Sequence, residues 1–238
     1  MKKPEAKRPR VRRAVPRPPQ AALAARPRRA SAGPGHDTPY HHGALRDALL
    51  QAAERVLERD GLPGLTLRAV AREAGVSHAA PTHHFGDLTG LVSELAAIGY
   101  RRFGMAMAAA ATASSTDHGA SARAYVGFAR AHPGMYGLMF RTERLDMTRP
   151  SLREAANASF AGFTGAIGAY RREQISTERL TLDQAGAMTL AWSMVHGFTT
   201  LLLDGRLGNI LARLPEGADA DALLEATLRA TMRPSRGP

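Results

Sequence analysis

The clearest hydrophobic pattern in the chain predicts a helix over 67–74 that ends in a tight turn. Its apolar residues recur at i, i+3, i+4 and i+7, a spacing that lines one face of a helix. They are Leu67, Val70, Ala71 and Ala74. Thr66 precedes them as a candidate N-cap, because its hydroxyl can accept from a free N–H of the first turn. Gly75 follows them, and glycine reaches positive φ at little cost, so we expect the helix to end there.

A second, shorter helix is predicted over 78–84. Ser77 is its candidate N-cap, and Pro81 near the end of its first turn removes about one backbone hydrogen bond. We therefore expect this helix to depend on packing by Phe85. The Gly-Asp pair at 86–87 should end it and cap the next helix.

An amphipathic pattern before this pair predicts a helix over 43–59, which the Asp-Gly pair at 60–61 ends. Three helices are the minimum that buries the core of a helix-turn-helix, the arrangement that lays its second helix in the DNA major groove. Helix pairs of this kind also occur in proteins that bind nothing, and the preceding helix is what favours DNA binding. The apolar residues of that helix are Leu45, Leu49, Ala52, Val56 and Leu57.

The rest of the chain continues in helical patterns, without strand-like alternation of useful length. Ser121 and Thr181 are candidate caps, the Arg-Pro-Ser segment at 149–151 begins another helix, and Pro133 starts a short one. The sequence therefore predicts an all-α fold. The downstream helices are expected at about 88–111, 121–131, 133–140, 151–167, 181–203 and 219–232.

Positive charge is concentrated at the N-terminus. Residues 1–40 hold 11 Lys and Arg against Glu5 and Asp37, a net of +9 out of +11 for the whole chain, and eight of the fifteen prolines. Such a composition cannot bury an apolar core, so we expect residues 1–39 to be a disordered basic tail. Two interpretations of the tail stay open: an arm that adds phosphate contacts on DNA, or a solvated extension from an upstream start codon.

Other features narrow the function classes. The chain has no cysteine, no apolar run of the ~18 residues that a membrane span needs, and no signal-peptide core, which favours a cytoplasmic protein without a membrane partner. The histidine pairs at 41–42 and 83–84 suit a metal poorly, because adjacent helical residues point about 100° apart. No phosphate-binding loop and no Gly-x-Ser-x-Gly motif is present. We expect neither an enzyme nor a bound metal or cofactor.

Residues 40–103 closely resemble the DNA-binding domain of TetR-type transcriptional regulators. The resemblance rests on Tyr-His-His-Gly at 40–43, Gly-Leu-Pro-Gly-Leu-Thr-Leu at 61–67, Val-Ala-Arg-Glu-Ala-Gly-Val-Ser-His-Ala-Ala-Pro at 70–81 and His-Phe at 84–85. Downstream, Ala-Trp-Ser-Met-Val-His-Gly at 191–197 resembles a subgroup of that family with a Trp/His-Gly motif in its ligand domain.

The resemblance implies a helix-turn-helix domain over 40–86, a helical ligand-binding and dimerisation domain over 87–233, and a flexible C-terminus over 234–238. It implies a sequence-specific transcriptional regulator, a homodimeric repressor released from a palindromic operator in double-stranded DNA by a small molecule, with an activator as the lesser alternative. Sparse polarity among the downstream helices predicts an apolar effector. The alternative is a basic helical protein that compacts nucleic acid with little sequence specificity, and it would not strongly prefer one palindrome over bulk DNA.

The candidate DNA contacts lie at the starts of the second and third helices, whose N-terminal ends face phosphates or base edges. They are Thr66, Arg68, Ser77, His78, Ala79, Thr82 and His83. The resemblance leads us to expect a tyrosine at Thr82, a basic residue at His83 and a lysine at Leu88. Because the tyrosine and the lysine usually hold phosphates in this family, we predict a weaker grip on the DNA backbone here.

The candidate ligand contacts are apolar or aromatic side chains of the downstream helices, with one histidine. They are Phe103, Met107, Tyr125, Phe128, Met139, Phe163, Trp192 and His196. Methionine and aromatic residues at helical spacing are also typical of plain core. For Trp192 and His196, which share one helical face at i and i+4, a pocket wall and a structural core stay equally open.

Two downstream helices are expected to form a dimer interface. The helix over 181–203 is apolar nearly all round, so it must be buried on more than one side. In the final helix, an apolar face lies opposite Asp221, Glu225 and Arg229. By resemblance, the two helices pair with their mates in a four-helix bundle. The apolar face of the final helix consists of Ala222, Leu223, Ala226 and Leu228.

Overall fold

The structure, a computed structural model, describes residues 41–113, 117 and 119–232, and every regular element in that part of the chain is helical. The predicted all-α fold is thereby confirmed. The basic tail, the DNA arm suggested for it and the segment 234–238 lie outside the described residues. The helices are α1 (His41–Gly64), α2 (Leu67–Ala74), α3 (Ala79–Phe85), α4 (Leu88–Ala113), α5 (Ala120–Ala131), α6 (Pro133–Met139), α7 (Pro150–Arg171), α8 (Leu182–Leu203), α9 (Gly208–Leu211) and α10 (Ala220–Met232), with a 3-10 turn at Thr142–Arg144.

The first helix of the helix-turn-helix, α2, begins and ends as its caps predict. Thr66 Oγ1 accepts a hydrogen bond from the backbone N–H of Ala69 at 3.1 Å, which starts α2. Gly75 then adopts the left-handed conformation (φ 68°, ψ 31°) and ends α2 at the predicted residue. The preceding helix α1 breaks at Gly61 (φ 68°, ψ −177°) and adds one more turn to Gly64, so it extends beyond its predicted end.

Ser77 does not cap α3, contrary to expectation. The residue before α3 is His78, and its side chain makes no capping bond either. A capping hydroxyl accepts from the second or third N–H of a helix. The N–H of Ala80 instead binds the backbone carbonyl of Ser77 at 3.1 Å, and Pro81 has no N–H to offer. Helix α3 is held by packing, as predicted, because Pro81 and Phe85 are buried.

The downstream caps are partly as predicted. Asp87 accepts from the N–H of Gly90 at 2.7 Å at the start of α4. Thr181 and Gln184 form a reciprocal capping box at the start of α8. The expected cap at Ser121 is wrong, because α5 begins at Ala120, one residue earlier, and Ser121 lies within its first turn. Helix α9 had no sequence signal strong enough to predict it, since it is only a single turn.

Helix α4 joins the helix-turn-helix to the rest of the protein. It packs against α5, α6 and α7, while α1 packs against α2, α4 and α6. The buried side chains form one continuous core from Leu49 on α1 to Leu228 on α10. A boundary at 86/87 therefore does not interrupt the core, and the predicted division into two domains stays a prediction.

Candidate DNA-binding and ligand-binding sites

The seven candidate DNA contacts all lie on the surface of the helix-turn-helix. Their side chains are exposed, from Thr66 at the start of α2, through the turn, to Thr82 and His83 on α3. The inward residues of the same helices, including Val70 and Phe85, are buried in the core. The fold thus presents the candidate residues to solvent on two adjacent helices, where a ligand as large as DNA can reach them.

The exposed side of α2 carries positive charge that no acidic residue in the described part of the chain pairs with. Glu73, the acidic residue of α2, binds the guanidinium groups of Arg55 and Arg59 on α1 at 2.8 and 2.9 Å. These hydrogen bonds hold the pKa of Glu73 below its usual range. Arg68 and Arg72 make no ion pair with any described residue. Both guanidinium groups are therefore available to phosphates.

Two hydroxyl groups on this surface are also available as donors. The hydroxyl oxygen of Thr66 accepts from Ala69, and its proton is donated to no described residue, so capping α2 is compatible with donating to a phosphate. The hydroxyl of Ser77 makes no hydrogen bond to a described residue. Because Ser77 is not a cap, no group in the described part of the chain competes with DNA for its hydroxyl.

Thr82 and Leu88, two of the residues that depart from the family pattern, have different surroundings. Thr82 is exposed on α3, so its short side chain leaves open space at the surface. Leu88 is half-buried and packs against the core, beside a cavity of about 220 Å³ that Leu62, Leu65 and Val92 also line. A leucine is suited to that apolar contact, whereas a lysine would place only its stem there.

The histidines of α3 form an aromatic chain with Phe85. The ring centroids of His83 and His84 are 5.5 Å apart, and those of His84 and Phe85 are 6.3 Å apart. This geometry packs His84 beside Phe85. Within residues 41–113, 117 and 119–232, no group of three or more metal-ligating side chains occurs.

An aromatic cluster lies downstream, where α4, α5, α6 and α8 meet. Phe103 contacts the rings of Tyr125 and Phe128 edge to face, with centroids 5.0 and 5.3 Å apart. The ring centroids of Phe140 and His196 lie 4.8 Å apart. We use "aromatic cluster" for Phe103, Tyr125, Phe128, Tyr136, Phe140 and His196.

His196 is the polar centre of the aromatic cluster. The hydroxyl oxygens of Tyr125 and Tyr136 each lie 2.9 Å from its Nδ1. Burial lowers the pKa of His196, which favours the neutral imidazole. A neutral ring that accepts at Nδ1 carries its proton on Nε2. Burial raises the pKa of Tyr125, so Tyr125 keeps its proton.

The other candidate ligand residues surround the aromatic cluster unevenly. Met139 is fully buried, and its carbonyl accepts from the hydroxyl of Tyr100 at 2.8 Å. Trp192 contacts the ring of His196 at 6.2 Å but stays half exposed. Met107 is half-buried against the same core. Phe163, on α7, makes no ring contact with another described residue, so it stands apart from the rest.

Sequence reasoning missed Tyr136 and Phe140 as members of this cluster. Both lie on or directly after the short helix that Pro133 starts, and they stand four residues apart. Such spacing places two rings on one helical face, which is the signal that was available.

The rings of the aromatic cluster pack against one another, with the centroids of contacting rings 4.8 to 6.5 Å apart. A surface cavity of about 490 Å³ lies along the C-terminal end of α7, and none of the candidate ligand residues lines it. A molecule that enters the aromatic cluster therefore has to displace rings. The cavity is lined by Thr164, Gly165, Gly168, Ala169, Arg172, Glu173, Gln174 and Ile175.

Helix α8 is apolar on two sides, as predicted, and only one side is buried. Met188, Val195 and Phe198 face the core. On the other side Leu182 is 91% exposed and Leu190 is 61% exposed. Among the described helices, α8 is long and apolar enough to cross a membrane by length and mean composition, although it contains no uninterrupted apolar run of that length.

Helix α10 differs from its predicted arrangement. Asp221, which stays exposed, and Glu225 bind Arg130 and Arg123 on α5, at 2.7 and 2.6 Å. Leu224 and Leu228 are buried. The exposed stripe of α10 is therefore made of smaller side chains and one cation, which are Ala222, Ala226 and Arg229.

Comparison with known proteins assigns the two halves of the chain. Residues 49–95 match the family model of bacterial regulatory proteins of the tetR family. Residues 118–231 match the model of the tetracyclin repressor-like C-terminal domain. No curated protein matches the chain. The Trp/His-Gly subgroup stays a prediction.

Solved structures share the fold along most of the chain. A protein of unknown function from Rhodococcus sp. RHA1 is 34% identical with a TM-score of 0.64, over 82% of this chain and 96% of that one. A TetR-family member from Streptomyces coelicolor A3 is 22% identical with a TM-score of 0.52, over 78% and 96%. The TetR-family regulator PfmR from Thermus thermophilus is 17% identical with a TM-score of 0.51, over 76% and 97%.

Proposed function

This chain belongs to the TetR family of bacterial transcriptional regulators, and we propose that it is a cytoplasmic homodimeric repressor that leaves a palindromic operator when a small, largely apolar effector binds. The observation that carries the proposal is the surface of the helix-turn-helix. There the candidate DNA contacts are exposed, Arg68 and Arg72 have no ion-pair partner among the described residues, and the inward residues of α2 and α3 are buried. The proposed contacts are Thr66, Arg68, Ser77, His78, Ala79, Thr82 and His83.

A two-fold dimer makes the operator a palindrome. Helix α3 has seven residues, which are too few to specify a useful site alone. Two such helices about 34 Å apart read half-sites separated by one turn of DNA. The exposed apolar side of α8 and the small-residue stripe of α10 support pairing of these helices with their mates.

Selection of binding sites from a random DNA pool tests the operator. We expect an inverted repeat whose half-sites are centred about 10 base pairs apart, bound at least about a thousandfold more tightly than bulk DNA. Recovery of sequences without an inverted repeat would contradict the proposal.

Release by an effector requires a ligand that distinguishes two arrangements of the dimer. The aromatic cluster is the proposed binding region because Phe103 lies on α4, the helix that follows α3 directly. A ligand that displaces these rings would push on α4. This would change the distance between the two α3 helices of the dimer. The tyrosine-histidine group at its centre offers hydrogen bonds to one polar group of an otherwise apolar molecule.

The effector is sought by thermal-shift screening of metabolites and antibiotics, followed by operator-binding assays on each hit. We expect hits that raise the melting temperature and weaken operator binding. A hit that stabilises the protein and leaves operator affinity unchanged would refute the coupling.

One observation favours the alternative of a nucleic-acid-compacting protein: residues 1–40 carry a net charge of +9. The two functions differ in what removal of residues 1–39 does. In the repressor, the truncated chain keeps its preference for the operator and loses only affinity that is common to all DNA. In a compacting protein, DNA binding disappears with the tail.

A further inference from the structure

One arginine of the C-terminal half holds the end of the recognition helix α3. Arg149, the residue before α7, donates from Nη2 to the backbone carbonyl of Phe85 at 3.2 Å. Phe85 is the last residue of α3 and is buried. Arg149 lies in the part of the chain that matches the C-terminal family model, and Phe85 in the part that matches the DNA-binding model. This hydrogen bond therefore spans the two functional halves.

The carboxylate of Glu94 on α4 contacts the groups that surround this hydrogen bond. Its carboxylate binds Arg46 of α1 at 2.6 Å, accepts from the hydroxyl of Ser151 on α7 at 2.9 Å, and lies 3.7 Å from Nη1 of Arg149. The guanidinium of Arg46 also lies over the Phe85 ring, 5.4 Å from its centroid. We call Arg46, Phe85, Glu94, Arg149 and Ser151 the α3–α7 junction. It joins four helices at one point.

Local energetics do not by themselves account for an arginine at this position. A cation at a helix N-terminus is disfavoured by the helix dipole, and Arg149 is the N-cap residue of α7. Its Nε atom is buried without a hydrogen-bond partner, 3.6 Å from a carboxylate oxygen of Asp146. The hydrogen bond that the guanidinium does make is the one to Phe85, and Glu94, whose side chain is only 14% exposed, offsets its charge.

A glycine in α4 permits the close contact between Arg149 and the carbonyl of Phe85. Gly90 is buried in the first turn of α4, between the end of α3 and Arg149. A methyl group at Gly90 would overlap both the carbonyl oxygen of Phe85 and the guanidinium of Arg149. A side chain here would force the two groups apart, so the glycine permits the close contact.

We propose that Arg149 is a positioning residue for DNA recognition: it fixes the orientation of α3 from the ligand domain, and its bond to Phe85 transmits movements of α7 to the recognition helix. This inference rests on the proposed function. The bond holds the C-terminal end of α3, while the exposed N-terminal end faces the DNA, so a change at one end tilts the other. Release of Arg149 lets α3 move relative to α4 and reduces the fraction of molecules in the binding-competent arrangement.

Three full-length variants test the proposal. Arg149→Ala removes the bond, and Arg149→Lys keeps a charge but lacks the planar fork that reaches Phe85 and Glu94 together. Arg153→Ala is the matched control, because Arg153 is exposed on the next turn of α7 and its side chain has no described partner. Affinity is measured by fluorescence anisotropy for the selected operator and for bulk DNA, at one salt concentration.

We expect Arg149→Ala to weaken operator binding on the order of tenfold, with little change for bulk DNA. Arg149→Lys should lie between Arg149→Ala and the unaltered protein, and Arg153→Ala should match the unaltered protein. Hydrogen exchange provides the second readout. Amide exchange in α3 should become faster in Arg149→Ala while exchange in α2 stays the same, whereas general destabilisation would accelerate both.

The outcomes separate this inference from the proposed function. If the unaltered protein selects no palindrome, the proposed function fails before any variant is compared. If it binds an operator and Arg149→Ala binds that operator equally well, the positioning role is overturned. Equal losses for operator and bulk DNA, or faster exchange in α2 as well as α3, would also overturn it, since these results indicate a merely structural residue.

Discussion

The carboxylate of Glu58 accepts a hydrogen bond from the backbone N–H of Gly134 at 2.9 Å. Its second oxygen accepts from the next N–H, that of Met135, at 3.0 Å. Glu58 lies on α1, which supports the helix-turn-helix, and the two N–H groups begin α6, which carries Tyr136 of the aromatic cluster. A single side chain of α1 therefore satisfies two free N–H groups of α6.

The first prediction concerns this link. Glu58→Ala should lower the free energy of unfolding by about 1 kcal/mol, the usual effect of losing a side chain that caps a helix N-terminus. Glu58→Gln should lose less, because its amide oxygen still accepts. Chemical denaturation measures both. Glu154→Ala, an exposed glutamate on α7, is the control and should change nothing. Equal stability of Glu58→Ala and the control would contradict the prediction.

The second prediction concerns pH. Burial lowers the pKa of His196 in the folded protein, so the unfolded chain takes up its proton first as the pH falls. The contribution of His196 to stability is therefore fully present above the unfolded pKa of about 6.5. It is lost as the pH falls below that value towards the folded pKa.

Melting temperatures between pH 8 and 5 measure this effect, compared with His196→Gln, which cannot titrate. The unaltered protein should lose more stability on acidification than His196→Gln does. His83→Gln, a change at an exposed histidine, should leave the pH dependence as it is. Parallel curves for the unaltered protein and His196→Gln would refute the prediction.

The third prediction restores the phosphate contacts that the family pattern leads us to expect. Thr82→Tyr adds a hydroxyl donor on exposed α3, and Leu88→Lys adds a cation whose stem can keep the apolar contact. Each change should strengthen DNA binding. Leu88→Lys should also steepen the dependence of log affinity on log salt concentration by about 0.9. Leu88→Met, which adds no charge, is the control. An unchanged salt slope in Leu88→Lys would place position 88 away from the phosphates.

The local elements of this fold were readable from the sequence because their signals are local. Thr66 and Gly75 bound α2 at the predicted residues, since an N-cap hydroxyl and a left-handed glycine act within one turn. Ser77 has an equally good cap signal and does not cap. The N–H of Ala80, which a capping hydroxyl of Ser77 would accept from, binds the backbone carbonyl of Ser77 instead.

The sites depend more on contacts between distant positions. His196 was a candidate from its motif, but its partners Tyr125 and Tyr136 stand 71 and 60 residues away. The bond between Arg149 and Phe85 spans 64 residues. No periodicity in the sequence encodes such pairs. The exposed DNA surface was the easier part, because amphipathic spacing distinguishes the outward side of α2 and α3 from the inward side.

The fourth prediction separates effector binding from DNA binding. Met107 is half-buried at the edge of the core, so Met107→Ala should leave operator affinity nearly unchanged and weaken the response to an effector found by screening. Phe103→Leu makes the same test at the centre of the aromatic cluster and avoids the roughly 3–5 kcal/mol loss expected for truncation to alanine. Operator affinity is titrated with and without effector. If operator binding falls more than the effector response, the ligand site lies elsewhere.

The fifth prediction concerns the dimer. Leu190 is largely exposed on α8, so a charged side chain there does not disturb the fold of one chain. If α8 pairs with its mate in a dimer, a glutamate at 190 would bring two carboxylates into an apolar interface. Leu190→Glu should therefore be monomeric by light scattering at micromolar concentration, under conditions in which the unaltered protein is a dimer. Met147→Glu, at an exposed methionine before α7, should stay dimeric. Since two half-sites must be bound together, Leu190→Glu should also lose most of its operator affinity while keeping its helical content by circular dichroism. A dimeric Leu190→Glu would move the interface away from α8.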